Sequence, residues 1–378
     1  MLTPQFFYEH LHQHGVEFYT GVPDSLLKNF CAYVTDVSSK NNHIIAVNEG
    51  TATGLACGYH LATGKIPLVY MQNSGLGNAT NPLLSLADKK VYSIPLLLLI
   101  GWRGEPETKD EPQHISQGEV TLSMLEAMNI PYSVLNKDEN IASAQLKNIF
   151  EHISQKNEPY AIVVQKETFA PYSLNNITAD ISELSREDAI AEVIKHIDKN
   201  DIVVSTTGMI SRELYELREQ NRQAHSQDFL TVGSMGHASQ IALGIALNKP
   251  DKKVYCLDGD GAALMHLGGL ATVADCAPKN YIHIIFNNAA HDSVGGQPTI
   301  ANSINLQELS KAFGYSITGK AANIDEIKNF FNILENKNIS PALLEICVKK
   351  GSRKDLGRPK STPVANKIDF MNFILKNI

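Results

Sequence analysis

The chain has 378 residues, 43% of them hydrophobic, and a formal net charge of −7. That is enough for two domains of ordinary size with packed cores, and it excludes general disorder. An acidic balance argues against nucleic acid as the main partner, whose usual footprint is a basic face. A small anionic ligand stays open, because it feels the field of one pocket only. The first residues, Met1-Leu2-Thr3-Pro4-Gln5, lack a basic segment followed by an apolar one, so no signal peptide is expected. The strongest apolar run, Ile94 to Ile100, is far too short to span a bilayer. Five cysteines (Cys31, Cys57, Cys256, Cys276, Cys347) form no CxxC pair and read as reduced thiols. The expected setting is the cytoplasm, with no membrane partner.

In chain order, short apolar runs lead into Gly-rich turns and then into helix-like stretches. The runs in the first half are His43 to Val47, Pro67 to Met71, Ile94 to Ile100 and Tyr160 to Gln165. Those in the second half are Asp201 to Ser205, Phe229 to Val232, Lys253 to Leu257, Tyr281 to Phe286 and Ala342 to Val348. Continuous rather than alternating apolar strands mean burial on both faces, hence parallel sheets covered by helices. Between the halves lie Pro171, Ser173, Asn175 and Asn176, then a charged stretch in which Ser185 and Asp188 have the spacing of a helix N-cap. The expected fold is α/β: two doubly wound parallel-sheet domains at 1–170 and 187–350 with no middle domain. A linker spans 171–186. A basic, turn-rich segment and a last helix, from about Lys367, fill 351–378.

The richest stretch is Val254-Tyr255-Cys256-Leu257-Asp258-Gly259-Asp260-Gly261-Ala262-Ala263. A buried strand ends at a Gly-Asp-Gly turn, where Gly259 and Gly261 allow unusual backbone angles and close approach. The helix that follows offers free N–H groups to phosphate, and Asp260 offers a hard oxygen to Mg²⁺. The next strand ends at Asn287-Asn288. Adjacent parallel strands open on one crevice at their carboxyl ends, so Asp260 and Asn288 are expected to converge on one cation. A dinucleotide fingerprint fails because position 264 is leucine, and an EF-hand fails because position 269 is glycine. Upstream, Glu49 follows an apolar run, where a buried carboxylate is costly unless paired or functional. The alternative is a helix-start carboxylate satisfied by backbone N–H groups.

Gly259-Asp260-Gly261 followed by Asn287-Asn288 resembles the signature of thiamine diphosphate enzymes. The resemblance implies thiamine diphosphate and Mg²⁺ as cofactors, with the metal held by Asp260, Asn288 and the carbonyl of Ala290. It implies a pyrimidine-binding first domain and a diphosphate-binding second domain. Gly259, Gly261, Ala262, Thr207 and Gly208 would approach the diphosphate. Gly233, Ser234 and Met235 match the segment beneath the thiazolium, with Met235 bending the cofactor. Glu49 matches the glutamate that hydrogen-bonds the pyrimidine ring, beside Gln72 and Asn73. The two halves of each site would come from different subunits, implying a homodimer or larger assembly.

Pyruvate-type relatives carry a middle domain for which this chain has no room. Its loops resemble the phosphonopyruvate decarboxylases, with the sulfopyruvate decarboxylases second. The marks are Gly21-Val22-Pro23-Asp24-Ser25, Trp102-Arg103-Gly104, Asp110-Glu111-Pro112-Gln113-His114, Ser293 to Thr299, and Gly351 to Pro359. The implied reaction is non-oxidative decarboxylation of a small 2-oxo acid with an anionic tail, as in phosphonate biosynthesis. Asp24 matches the catalytic aspartate of pyruvate-type relatives with a one-residue shift. His114 stands for a histidine pair, and Val294 stands where a further glutamate is found. Ser25, Arg103, Lys109, Ser293, Arg353 and Arg358 are candidates for the tail. A non-catalytic cofactor-binding partner subunit is the reading from another class, and the presence of both Glu49 and Asp260 argues against it.

Overall fold

The computed structural model describes residues 1–175, 179–337 and 340–375. Asn176 of the expected linker and the last three residues of the expected terminal helix lie outside them. The chain divides into two compact units, Met1–Thr178 with His291–Pro298, and Ala179–Ala290 with Thr299–Ile378.

The first unit holds β1 (Tyr19–Gly21), β2 (His43–Ile45), β3 (Leu68–Gln72), β4 (Leu97–Gly101), β5 (Tyr132–Val134) and β6 (Tyr160–Val164). They form one parallel sheet in the order β2-β1-β3-β4-β6-β5. The second unit holds β7 (Ile202–Ser205), β8 (Asp228–Leu230), β9 (Val254–Gly259), β10 (Tyr281–Asn287), β11 (Ile317–Ala321) and β12 (Ala342–Cys347). Read from β8, their order is β8-β7-β9-β10-β12-β11, the first order with every number raised by six. Both units are thus the expected doubly wound α/β fold, built twice with one topology. In each, the strand order switches direction between the first and third strands, which is where such sheets bind ligands.

Burial follows from the apolar runs. Alternate residues of β3, β4 and β6 feed two cores on opposite faces: Leu68, Tyr70, Leu97 and Leu99 in one, Val69, Met71, Leu98 and Ile100 in the other. The second sheet does the same with Tyr255, Leu257 and Ile284 against Val254, Cys256 and Ile285. Three strands escaped the sequence pattern: β1, β5 and β11. Ser185 caps the helix Arg186–Val193, its Oγ accepting from Asp188 N at 3.0 Å. The terminal helix starts at Pro363, earlier than expected, because Thr362 Oγ1 accepts from Ala365 N at its first turn. Four of the five cysteines are buried, and all are free thiols.

One buried ion pair closes the edge of the second sheet. Arg218, 1% exposed, donates from Nε and Nη2 to the two oxygens of Asp228 at 2.9 and 3.0 Å. Burial raises the Asp228 carboxyl even with Arg218 opposing it. Replacing Arg218 with methionine would strand that carboxylate, and is expected to cost about 3–5 kcal/mol, read as a lower urea midpoint.

Candidate active site

In the first unit three neighbouring strands end together: Gly21 pairs with Tyr70, and Gln72 with Gly101. The loops that leave β1, β3 and β4 therefore meet at one sheet edge. Gly21 is obligatory, since a Cβ there would stand 1.9 Å from the Tyr70 carbonyl oxygen. The chain then turns to Asp24, which is fully buried. Its Oδ2 accepts from Leu26 N at 2.7 Å and its Oδ1 from Gln72 Nε2 at 2.8 Å. Gly101 makes room for it, because a Cβ at 101 would lie 2.2 Å from Asp24 Oδ2.

Arg103 leaves β4 and joins the other loops. Its Nη1 donates to Ser25 Oγ at 2.6 Å, and its Nε and Nη2 grip Asp110 at 2.8 and 2.5 Å. Asn73 Nδ2 donates to the Arg103 carbonyl and to Thr121 Oγ1, both at 2.8 Å. His114, buried on the helix Pro112–Ala127, bonds Asp110 through Nδ1 at 2.9 Å. Burial works against ionising Asp110. The bonds from Arg103, His114, Glu111 N and Gly104 N outweigh it and hold the carboxyl well below the usual range. Asp110 was legible only as a motif member. Its role follows from partners seven residues before it and four after.

Glu49 departs from its expected surroundings. β2 is a half-exposed edge strand and ends four residues earlier, so the glutamate begins the helix Glu49–Thr63. Asn48 is the cap, accepting from Gly50 N at 2.7 Å. The Glu49 carboxylate is released from capping and turns inward, 5% exposed, to accept from Asn78 Nδ2 at 2.7 Å. Burial raises it above the ordinary value, against the Asn78 bond. A Cβ at Gly75 would stand 2.5 Å from Glu49 Oε1, so only glycine leaves the carboxylate its place. The segment after β3 thus touches each candidate in turn: Gln72 reaches Asp24, Asn73 reaches Arg103, and Gly75 and Asn78 reach Glu49.

In the second unit the neighbouring ends are those of β7, β9 and β10. Phe286 pairs with Gly259, so Asp260 and Asn288 leave adjacent strands one residue out of step. Asp260 is 4% exposed and opens the helix Asp260–Met265, with Thr299 Oγ1 donating to its Oδ2 at 2.5 Å. Thr299 ends the loop motif Ser293 to Thr299, and its role there is visible only in the fold. Asn288, equally buried, accepts from Ala290 N at 3.0 Å through Oδ1, and Ala290 is buried beside it. Asn287 is tied back by Nδ2 to Glu345 Oε1 at 2.8 Å. Thr207 Oγ1 donates to the Val232 carbonyl at 2.8 Å, and Gly208, at φ +98°, caps the helix Met209–Gln220. Gly233, Ser234 and Met235 lie in the loop between β8 and the helix Ala238–Asn248, with Met235 half-buried.

These groups fit a diphosphate and a hard cation. Asp260, Asn288 and Ala290 present a carboxylate, an amide and a carbonyl, all oxygen ligands suited to Mg²⁺. Gly259 has an ordinary φ of −106°, and Gly261 is absent from the positive-φ glycines, so backbone angle does not explain these two. A Cβ at Gly259 would meet only Ile210, at 3.5 Å. No protein neighbour requires that glycine, and the space it leaves suits a close ligand.

Of the candidates for the tail, Arg103 and Ser25 are joined by a hydrogen bond at 2.6 Å. Lys109, Ser293 and Arg358 are exposed. Arg353 is spent on Glu187, Glu216 and Asp355. Its segment is pinned to the second unit by Arg212, which donates to the carbonyls of Leu356 and Gly357 at 2.5 and 2.6 Å. Among the described residues no helix is long and apolar enough to cross a membrane.

Comparison with known proteins shows the family. Residues 1–125 match the thiamine pyrophosphate enzyme N-terminal TPP binding domain, and residues 204–346 the C-terminal TPP binding domain. Phosphonopyruvate decarboxylase of Streptomyces viridochromogenes is 31% identical over 95% of this chain and 92% of its own. That of Streptomyces hygroscopicus is 32% identical over 92% and 88%. Sulfopyruvate decarboxylase of Methanosarcina acetivorans is 28% identical over 95% and 94%. The chain belongs to the thiamine diphosphate-dependent decarboxylases of the phosphonopyruvate and sulfopyruvate type. It is a carboxy-lyase, and thiamine diphosphate is its cofactor.

Proposed function

We propose that the substrate is 3-phosphonopyruvate, cleaved without oxidation to phosphonoacetaldehyde and CO2 as a step of phosphonate biosynthesis of the 2-aminoethylphosphonate type. The observation that carries this is likeness along nearly the whole chain to two phosphonopyruvate decarboxylases, at 31% and 32% identity. The sulfopyruvate reading rests on a 28% relative of equal coverage. Thiamine diphosphate supplies the electron sink that decarboxylation of a 2-oxo acid requires. Asp260, Asn288 and the Ala290 carbonyl would hold Mg²⁺, which would offset the charge of the diphosphate. Glu49 holds a proton at the pyrimidine ring, a task that suits a buried carboxyl with a raised pKa. Asp24 and His114 are the proposed proton carriers beside the reacting carbon. Ser25, Arg103, Lys109, Ser293 and Arg358 are the proposed partners of the tail. Because Asp110 already neutralises Arg103, the guanidinium offers the tail directed N–H groups more than net charge. The proposed assembly is a homodimer or larger, in the cytoplasm, with Glu49 of one subunit serving the cofactor anchored by Asp260 of another.

Aldehyde release from phosphonopyruvate and from sulfopyruvate, each with and without thiamine diphosphate and Mg²⁺, tests the assignment. The expected result is cofactor-dependent release that is faster with phosphonopyruvate. Faster release from sulfopyruvate overturns the choice of substrate.

A further inference from the structure

Asp110 collects more donors than any role assigned so far requires. Arg103 Nε and Nη2 approach its two oxygens at 2.8 and 2.5 Å. Gly104 N and Glu111 N each donate at 2.8 Å. His114 Nδ1 completes the set at 2.9 Å. An ionised carboxylate only accepts, so the imidazole nitrogen that faces it must carry the proton. The two-pronged guanidinium and the two backbone N–H groups fix the carboxylate in place, so it cannot turn away from the ring. The loop is as rigid as the carboxylate. A Cβ at Gly104, at φ +69°, would stand 1.9 Å from the His114 carbonyl oxygen, and one at Gly118 would stand 1.6 Å from the Gly104 carbonyl oxygen. Trp102 Nε1 donates to the Gly118 carbonyl at 2.9 Å, closing the same contact. His114 is the third residue of its helix, and an anion before a helix N-terminus is favourably placed.

We propose that Asp110 is the positioning residue of this site: it locks His114 in the Nδ1–H tautomer and so makes Nε2 the nitrogen that accepts and returns a proton in the decarboxylation. The inference rests on the placement of His114 at the reacting carbon made under the proposed function. Arg103 belongs to the same device. Its Nη2 shares Asp110 Oδ1 with His114 Nδ1, its Nε holds Oδ2, and its Nη1 reaches through Ser25 to the loop that carries Asp24. A carboxylate, an imidazole and a guanidinium from one loop and the helix that follows it then move as one unit. A change at Asp110 reaches the chemistry through His114 and not through the cofactor, whose diphosphate residues lie in the other unit.

Histidine-15N labelling of the full chain, with thiamine diphosphate and Mg²⁺ present, tests this directly. Two-bond proton–nitrogen spectra at mildly alkaline pH report which ring nitrogen is protonated, and the His114 signals are those missing in His114→Gln. In the unsubstituted protein His114 is expected to be Nδ1–H with a bare Nε2, the minority form of a free neutral imidazole. In Asp110→Ala the ring is expected to revert to Nε2–H, and kcat to fall by about 10²-fold or more while the thiamine diphosphate dissociation constant stays within about threefold, as for the loss of proton transfer alone. A purely structural Asp110 would change thermal stability and leave the tautomer alone. An Nε2–H ring in the unsubstituted protein overturns the proposal. So does an Asp110→Ala ring that stays Nδ1–H, or a ring that reverts with kcat unchanged. If Asp110→Ala does not fold, the first of these measurements still decides, and Asp110→Ser takes the place of the variant. The spectra need no turnover: release from neither 2-oxo acid overturns the proposed function and leaves the tautomer result standing.

Discussion

Asp260→Ala is expected to weaken thiamine diphosphate binding at least about 100-fold, more than the loss of an outer-shell partner costs a metal site, and to take turnover with it. The carboxylate is 4% exposed just past the end of β9, where Thr299 Oγ1 donates to its Oδ2. A buried carboxylate whose charge a bound cation offsets carries a desolvation cost when the cation is gone, so its removal relieves the unliganded fold. The variant without cofactor should therefore melt at or above the temperature of the unsubstituted protein. Added thiamine diphosphate with Mg²⁺ should raise the midpoint of the unsubstituted protein, as any ligand of the native state does, and leave that of Asp260→Ala unmoved. Asn288→Ala should lie between the two, because it removes one proposed ligand and the bond that shapes the turn through Ala290. An Asp260→Ala protein that binds cofactor as tightly as before would sink the assignment of this end of β9.

How much of this could be read from residues alone differs by kind. Most of the nine strands read from the sequence declared themselves because burial on both faces makes a strand continuously apolar, while β2 and β8, three residues each, were carried by longer apolar runs around them. β1 and β5 have three residues each, too few to show a period, and β11 carries Gly319 and Lys320 at a sheet edge. Asp260 and Asn288 were legible because adjacent parallel strands bring successive strand ends together. Asp24, Gln72, Arg103 and His114 were legible only as separate motifs: nothing in their spacing says that β1, β3 and β4 are neighbours, and the bonds from Gln72 to Asp24 and from Arg103 to Ser25 exist only through that pairing. Glu49 shows a local miss. Asn48 before it is a strong N-cap residue, and reading it so would have placed the glutamate at a helix start with its carboxylate free for Asn78. Asp110 lay in plain view, but a carboxylate's role is set by which donors surround it, and that is a property of the folded loops.

Glu49→Gln is expected to lower turnover by about 10²- to 10⁴-fold, the usual worth of a positioned proton donor or base, while still binding cofactor. Its effect on stability should have the opposite sign. Burial raises the Glu49 carboxyl in the folded chain, with the Asn78 bond and its own backbone N–H opposing. Below the unfolded value, about 4.3, the group is protonated in both states and costs nothing. As pH rises past that value the unfolded chain ionises first, so the protein loses stability until the raised folded value is passed, and the deficit then stays constant. Glutamine carries no charge and escapes it. The cofactor-free variant should therefore melt higher than the unsubstituted protein at neutral pH, with the advantage fading as pH falls through the carboxylate range. Gly75→Ala separates charge from placement. It keeps the carboxylate but sets a Cβ 2.5 Å from Oε1, so the group must shift or the helix must yield. Turnover should fall with no gain in stability at any pH. A Glu49→Gln protein with undiminished kcat, or with the same melting temperature as the unsubstituted protein from acid to neutral pH, would mean that this carboxyl is not the buried proton carrier its surroundings describe.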